Sequence, residues 1–293
     1  MKRTVITITL LLSIGLSSIW AENLGTNSSV RYVKAPRFAR PLVEKWITEY
    51  AKTAPGVEFQ LVKGAASQTD IDLNVVSGAQ PHDINDMSQI VYFGETAVLP
   101  ITARSSEAAR LLEGKHLTTK KLRQLFFLDD EFDEDGEEVK KAKLFEHLII
   151  YSGSNATSVA SAFAHHFGEE SSNFRGKRIA GDDLFLNTAI SKDPLGVSFN
   201  VLPNIFDLKS RHVKAELSLI GLDVKKEQAD TFSDSGTLDD VLATLEKDKP
   251  QEIAIERVGV SYNASDPAVS QFLEWILEQG THYNHEYGLL NIK

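Results

Sequence analysis

The stretch Val57-Glu-Phe-Gln-Leu-Val-Lys-Gly-Ala-Ala-Ser67 decides the fold. Its first half is β-branched and aromatic, which predicts a strand over residues 57–62. Its second half is small and polar, as at a turn from strand into helix. Upstream, Pro55-Gly56 ends a helix predicted over residues 39–53, where Leu42, Val43, Trp46, Ile47 and Tyr50 fall on one face at helical spacing. Pro41 suits the first turn of that helix. A short strand over 31–35 precedes it. Downstream, a second helix is expected over 68–77 and a third short strand around Ile84, within Asp83-Ile-Asn-Asp-Met-Ser88. Strand, helix, strand, helix, strand is the α/β order. Each strand-to-helix junction presents free backbone N–H groups at a helix start. Such junctions hold small anions without any enzyme chemistry.

The remainder of the chain repeats the device. Residues 91–102 are apolar and carry the chain toward a second unit. Leu117-Thr-Thr-Lys-Lys-Leu-Arg-Gln-Leu-Phe-Phe127 reads as an amphipathic helix capped by Thr118 or Thr119. Residues 129–138 are strongly acidic. Residues 148–151 form a short strand, 152–157 a loop of small polar residues, and 158–167 a helix. A turn leads into a strand at 194–199, and helices follow over 237–247 and 267–279. The sequence contains no internal repeat and no long linker.

Composition narrows the function. With 42% hydrophobic and 25% charged residues, the chain buries a normal core. A formal net charge of −10 argues against nucleic acid or an anionic membrane as partner. It also repels small anions at long range, so any anion site must be local, built from backbone dipoles, hydroxyls and one or two cations. There is no cysteine, which removes disulfides, thiolate metal sites and a lipid anchor on an N-terminal Cys. Met-Lys-Arg followed by an apolar run to about Ser18 and Ile19-Trp20-Ala21 has the pattern of a secretory signal peptide over 1–21. That run is shorter than the roughly 20 residues that span a bilayer. The expectation is an exported periplasmic protein without stable membrane insertion.

Three loops are candidate anion contacts. Lys34-Ala-Pro-Arg-Phe38 precedes the first helix, and Arg37 there offers a bidentate, charge-assisted contact. Lys63-Gly-Ala-Ala-Ser67 allows close backbone approach at Gly64 and supplies the Ser67 hydroxyl. Tyr151-Ser-Gly-Ser-Asn-Ala-Thr157 precedes the 158–167 helix and offers backbone N–H groups with Asn155, Thr157 and Ser154. It lacks the Lys and the spacing of a nucleotide-binding P-loop. Glu131-Phe-Asp-Glu-Asp-Gly136 has the acid spacing of a calcium loop, but Ala142 stands where a bidentate Glu is needed. His282 and His285, and the adjacent His165-His166, make no zinc-helix pattern. Gly94-Glu95 and Asp182-Asp183 are carboxylates without a visible partner. No Ser/His/Asp order emerges, so the chain reads as a non-enzyme with no cofactor.

Taken in order, these loops resemble the substrate-binding proteins of phosphate ABC transporters, type II periplasmic binding proteins. Phe38-Ala-Arg-Pro-Leu-Val-Glu-Lys-Trp46 is similar to that family's first loop and helix. Lys63 to Ser67 sits at its Gly-Ser loop, Asp83-Ile and Ser88 at its Asp-Ile/Phe and cleft Ser or Asp, and Asn155-Ala156-Thr157 at its Ser-Gly-Thr. Residues 117–127, 194–199, Gln279-Gly280 and Tyr287-Gly288 resemble further family segments. The resemblance covers roughly residues 31–293. It implies an α/β, two-lobed fold with a ligand cleft between the lobes: 30–96 with 200–293 as a discontinuous first lobe and 97–199 as the second. It implies inorganic phosphate or a similar oxyanion as ligand and an ABC transporter permease as partner. The implied contacts are Arg37, Phe38, Gly64, Ser67, Ser88, Tyr151, Asn155, Ala156 and Thr157.

Two departures stand out. The family places an Arg where this chain has Tyr151, and a hydroxyl where it has Arg37. Either the cation has moved to the other lobe, or phosphate specificity is lost and the protein is a sensor or interaction module. The acceptor for a protonated ligand falls on Ser88 or Asp86, and the residues alone do not choose between them.

Overall fold

The computed structural model describes residues 30–62, 71–77, 89–127, 143–153, 159–262 and 264–292. Its strands are β1 (Arg31–Lys34), β2 (Phe59–Leu61), β3 (Leu73–Ser77), β4 (Gln89–Ala103), β5 (Ile149–Gly153), β6 (Lys177–Ile179), β7 (Gly196–Val201), β8 (Leu217–Leu219) and β9 (Ala254–Tyr262). Its helices are α1 (Arg40–Thr53), α2 (Glu107–Leu112), α3 (Thr119–Phe126), α4 (Lys143–Glu146), α5 (Val159–His166), α6 (Leu184–Ser191), α7 (Leu202–Ile205), α8 (Leu238–Lys247) and α9 (Pro267–Glu278). The expected signal peptide, the acidic loop and the Ile84 strand lie outside the described residues. No helix among those described is long and apolar enough to cross a membrane.

The strands form one sheet in the order β2-β1-β3-β9-β4-β7-β5-β6, with β8 added to the far end of β4. β1, β2 and β3 are mutually parallel, as are β5, β6 and β7. β4 and β9 run antiparallel between the two sets. At about 3.3 Å per residue, the 15 residues of β4 are long enough to serve both sets.

Local chemistry accounts for most elements. α1 buries Leu42, Val43, Trp46 and Tyr50, with Pro41 in its first turn. The Thr118 hydroxyl accepts from the Lys121 N–H to start α3, and Thr237 and Asp266 cap α8 and α9 the same way. One expectation is corrected. Residues 73–77 are not helical; they form β3, a central strand paired to β1 on one side and β9 on the other. Leu73 and Val75 are buried while Asn74 between them is less so, and adjacent Val75-Val76 favours strand over helix.

Two aromatic clusters fill the core. Trp46, Tyr50, Phe59, Phe93, Phe272 and Trp275 pack on the β1–β3 side. Phe126, Phe127, Phe163, Phe167, Phe174 and Phe199 pack on the β5–β7 side. Gly176, at φ 85°, admits β6 to its place: a Cβ there would lie 2.3 Å from the Ile150 carbonyl oxygen. β6 in turn carries the loop that holds Asp182 and Asp183.

Candidate functional site

The register of the sheet brings the carboxyl ends of both strand sets to one place. β3 ends at Ser77, which pairs with Val258 of β9, itself paired with Gly94 of β4. β7 ends at Val201, which pairs with Val98 of β4. Because β4 runs antiparallel to β7 and parallel in direction to β3, the two sets point toward each other. Their ends meet over residues 94–98, about 13 Å of strand. Ligands of open α/β sheets bind outside the carboxyl ends of the strands, so this stretch marks the candidate site.

From the first set, β1 runs through Ala35 and Pro36 into a 3-10 turn, Arg37–Ala39, and then α1. Phe38 is buried and the turn packs against α7, so Phe38 anchors the junction. Arg37 is exposed and makes no ion pair among the described residues. The segments after β2 and β3, with Gly64, Ser67 and Ser88, lie outside the described residues.

From the second set, β5 leads to α5. Asn155, Ala156 and Thr157 lie outside the described residues, but both flanks are defined. Tyr151 does not offer its hydroxyl to the strand ends. It donates to Asp193 Oδ2 at 2.7 Å and accepts from Lys177 Nζ at 3.1 Å. The Lys177 ammonium is held above the usual lysine range by that hydrogen bond and by Asp193. The ring itself is buried. Tyr151 thus ties β5 to β6 and to the turn before β7, and the expectation that it contacts ligand finds no hydroxyl free to do so. The neighbouring Ser152 hydroxyl is fully buried with no hydrogen-bond partner among the described residues.

Reasoning from sequence left Asp182-Asp183 without a role. Asp182 Oδ1 accepts from the Leu184 N–H at 2.9 Å and so begins α6. Asp183 does not cap its own helix. Its Oδ2 instead accepts from the Val159 N–H of α5 at 3.4 Å. Its Oδ1 is buried and has no partner among the described residues. Burial is the main influence on this carboxyl and pushes it up to about 6; the Val159 N–H works against that rise and Asp182 adds to it. Buried asparagines fix the loop. Asn200 Nδ2 donates to the Asp183 carbonyl at 2.8 Å and to Asn187 Oδ1 at 2.9 Å, and Asn204 Nδ2 donates to Asn200 Oδ1 at 2.9 Å.

The strands between the two sets add two polar groups. Thr96 is fully buried and its hydroxyl has no partner among the described residues. Glu256 pairs with it in register on β9, on the same face. Burial raises the Glu256 carboxyl, against the Arg257 N–H and His165. Glu95 is neutralised by Lys249. Among the described residues no group of three His, Cys, Asp or Glu could hold a metal. His285 is paired to Glu246 at 2.7 Å. The described groups near the strand ends are therefore the exposed Arg37 of the first set, the Asp183 carboxyl of the second, and Thr96 with Glu256 between them.

Neither a family model nor a curated protein sequence matches the chain. Solved structures do. A protein assigned as a phosphate ABC transporter substrate-binding protein with bound phosphate, from Clostridium perfringens, is similar at a TM-score of 0.60 and 12% identity, over 90% of this chain and 100% of that one. An ABC-type phosphate transport receptor from Vibrio cholerae is similar at a TM-score of 0.56 and 11% identity, over 90% and 100%. The Synechocystis CcmR regulatory domain in complex with 2-PG is similar at a TM-score of 0.50 and 14% identity, over 85% and 95%. At such identities the likeness is one of fold. The chain has the two-lobed α/β fold of type II periplasmic binding proteins, which transport receptors and regulatory domains share.

Proposed function

We propose that this chain is a periplasmic solute-binding protein that takes a phosphate-like oxyanion into its cleft and delivers it to an ABC transporter permease. The observation that carries this reading is the convergence of both sets of strand ends on residues 94–98. In this reading residues 30–96 with 200–293 form one lobe and 97–199 the other, joined through β4 and β9. Arg37 supplies the cation, while Gly64, Ser67, Ser88, Asn155, Ala156 and Thr157 supply the small-residue loops that close on the ligand. Tyr151 supports β5 rather than the ligand. Hinge closure around the bound anion then presents the loaded form to the permease.

Arg37→Ala should weaken oxyanion binding tenfold or more, because a charged hydrogen bond contributes about 1.5–3 kcal/mol. Calorimetric titration with phosphate checks this. Unchanged affinity would remove Arg37 from the site. A second reading, a ligand-sensing or interaction module, draws on the fold shared with a regulatory domain and on the carboxylates at the α5 end of the cleft. It predicts no response to simple oxyanions and no effect of Arg37→Ala.

A further inference from the structure

One edge of β4 changes partner beyond the strand-end region. β9 leaves it at the pair Val98–Ala254, and β8 takes its place from Ile101 to Ala103. A cavity of about 470 Å³ opens beside Thr102 and Arg104, bounded by α2, the loop after it, β8 and the turn over 229–234. It begins about 13 Å along β4 from residue 98, away from the place where the two strand sets meet.

The walls of this cavity are built. The loop after α2 is fastened to the segment after β8: the Leu117 N–H donates to the Gly221 carbonyl at 2.9 Å, and the Asp223 N–H to the Leu117 carbonyl at 3.0 Å. Glycine permits that approach, since a Cβ at Gly221 would lie 2.5 Å from the Lys115 carbonyl oxygen. The 229–234 turn is held to β8 by Asp234, whose Oδ1 accepts from the Leu219 N–H and Oδ2 from the Ser218 hydroxyl, each at 2.7 Å. Leu112, Ile220, Leu222 and Phe232 supply the apolar part of the lining.

The charge of the lining is one-sided. Arg104 is engaged by Asp234 at 2.9 Å and by the Ala215 carbonyl at 3.0 Å. His116 Nδ1 lies 3.3 Å from the Leu222 carbonyl oxygen. That leaves Arg110 and Lys115, both exposed and without an ion pair among the described residues, against the single acid Glu113. Two cations at one hollow, in a chain with a net charge of −10, make a local attraction for an anion where the molecule as a whole repels it.

We propose that this cavity is a second ligand site, separate from the strand-end cleft, for a small organic anion: an aromatic or short aliphatic body carrying one carboxylate. The body packs on Leu112, Leu222 and Phe232, and Arg110 and Lys115 hold the carboxylate at the rim. The volume falls within the range of small-molecule sites, about 300–1,000 Å³. An inorganic oxyanion has no apolar surface to bury here, so it gains little from this lining. The inference stands independently of the oxyanion reading above.

Naphthoate is the probe, with naphthalene methanol as its uncharged counterpart. Amide-resolved NMR titration of the protein, with phosphate in excess to fill the cleft, should show saturable naphthoate shifts in α2, residues 113–116, β8 and residues 229–234. The uncharged counterpart should bind the same place about tenfold more weakly. The double variant Arg110→Ala, Lys115→Ala should weaken naphthoate by about tenfold or more and leave the uncharged probe unchanged. Both residues are exposed, so an unchanged amide spectrum of the free variant confirms that it is folded. Shifts that do not saturate, shifts that phosphate displaces, equal binding of the two probes, or an unaffected double variant would each overturn the proposal. Phosphate binding itself is read in the same titration, so the oxyanion reading stands or falls separately.

Discussion

Phe163→Ala should destabilise the protein by about 3–5 kcal/mol, the range for deleting a fully buried aromatic side chain. Phe163 is the centre of the second aromatic cluster. Its ring stacks on Phe199 at 4.3 Å and 5°, and meets Phe126 and Phe167 edge-on, each at 4.9 Å. It is fully buried, as are Phe126 and Phe199. Truncation leaves a cavity bounded by rigid rings that have little freedom to collapse, so the cost should fall toward the upper part of that range. The position also matters for function. Phe163 lies one helical turn from Val159 and fixes α5 against β7, hence the helix start against Asp183. Denaturant unfolding measures the loss. A change below about 1 kcal/mol would show that the cluster repacks.

Asp183→Asn should alter the pH dependence of stability by a comparable amount. The native carboxyl is raised from 3.8 to about 6, mainly by burial. A group whose native value is raised stabilises the fold fully below its unfolded value and loses that contribution as pH rises through its native value. The window is therefore from about 3.8 to about 6. At 1.36 kcal/mol per pH unit the wild type loses about 3 kcal/mol across it. Asparagine keeps an acceptor for the Val159 N–H and carries no charge, so the variant should not show that loss. The stability of Asp183→Asn relative to wild type should grow by about 2–3 kcal/mol between about pH 3.5 and about pH 7.5. A difference that stays constant with pH would mean that the carboxyl is solvated and titrates normally.

The helices were legible where their burial follows one face. α1, α3, α8 and α9 were read in this way to within a few residues, with Pro41 and Thr118 marking two of the starts, and α5 was read to the same accuracy although six consecutive residues of it are buried. Several strands were not, and β6 and β8, three residues each, went unread altogether. β3 was read as helix because Ile71, Leu73, Val75 and Val76 satisfy either period over so short a span, and the pairing to β1 and β9 decided it. β9 went unread because Glu256 and Arg257 interrupt its apolar run where the chain passes between the two strand sets. α6 was hidden because its apolar residues do not mark one face: Leu186 and Ile190 are buried, but so is Asn187, while Phe185 is exposed.

The site divides in the same way. Arg37 and Phe38 were placed correctly at the entry to α1, because Pro36 and Pro41 fix a helix start in the sequence itself. Tyr151 was placed on the right strand, but a single residue carries no sign of where its hydroxyl turns, and Asp193 and Lys177 are both remote in sequence. Asp183 shares that history. Its partner Val159 is 24 residues away and its carbonyl is held by Asn200. Only one signal, the two adjacent carboxylates themselves, marked the place.

Thermal unfolding of the anion-stripped protein with phosphate, sulfate, molybdate and an uncharged control, at mildly acidic pH, tests the central claim most directly. A ligand at about 100 times its Kd adds roughly 2.7 kcal/mol, which for a domain of this size raises Tm by several degrees. An oxyanion that shifts Tm by that amount, where the uncharged control does not, is the result expected of a cleft that binds oxyanions. An unchanged Tm with all three anions would contradict it.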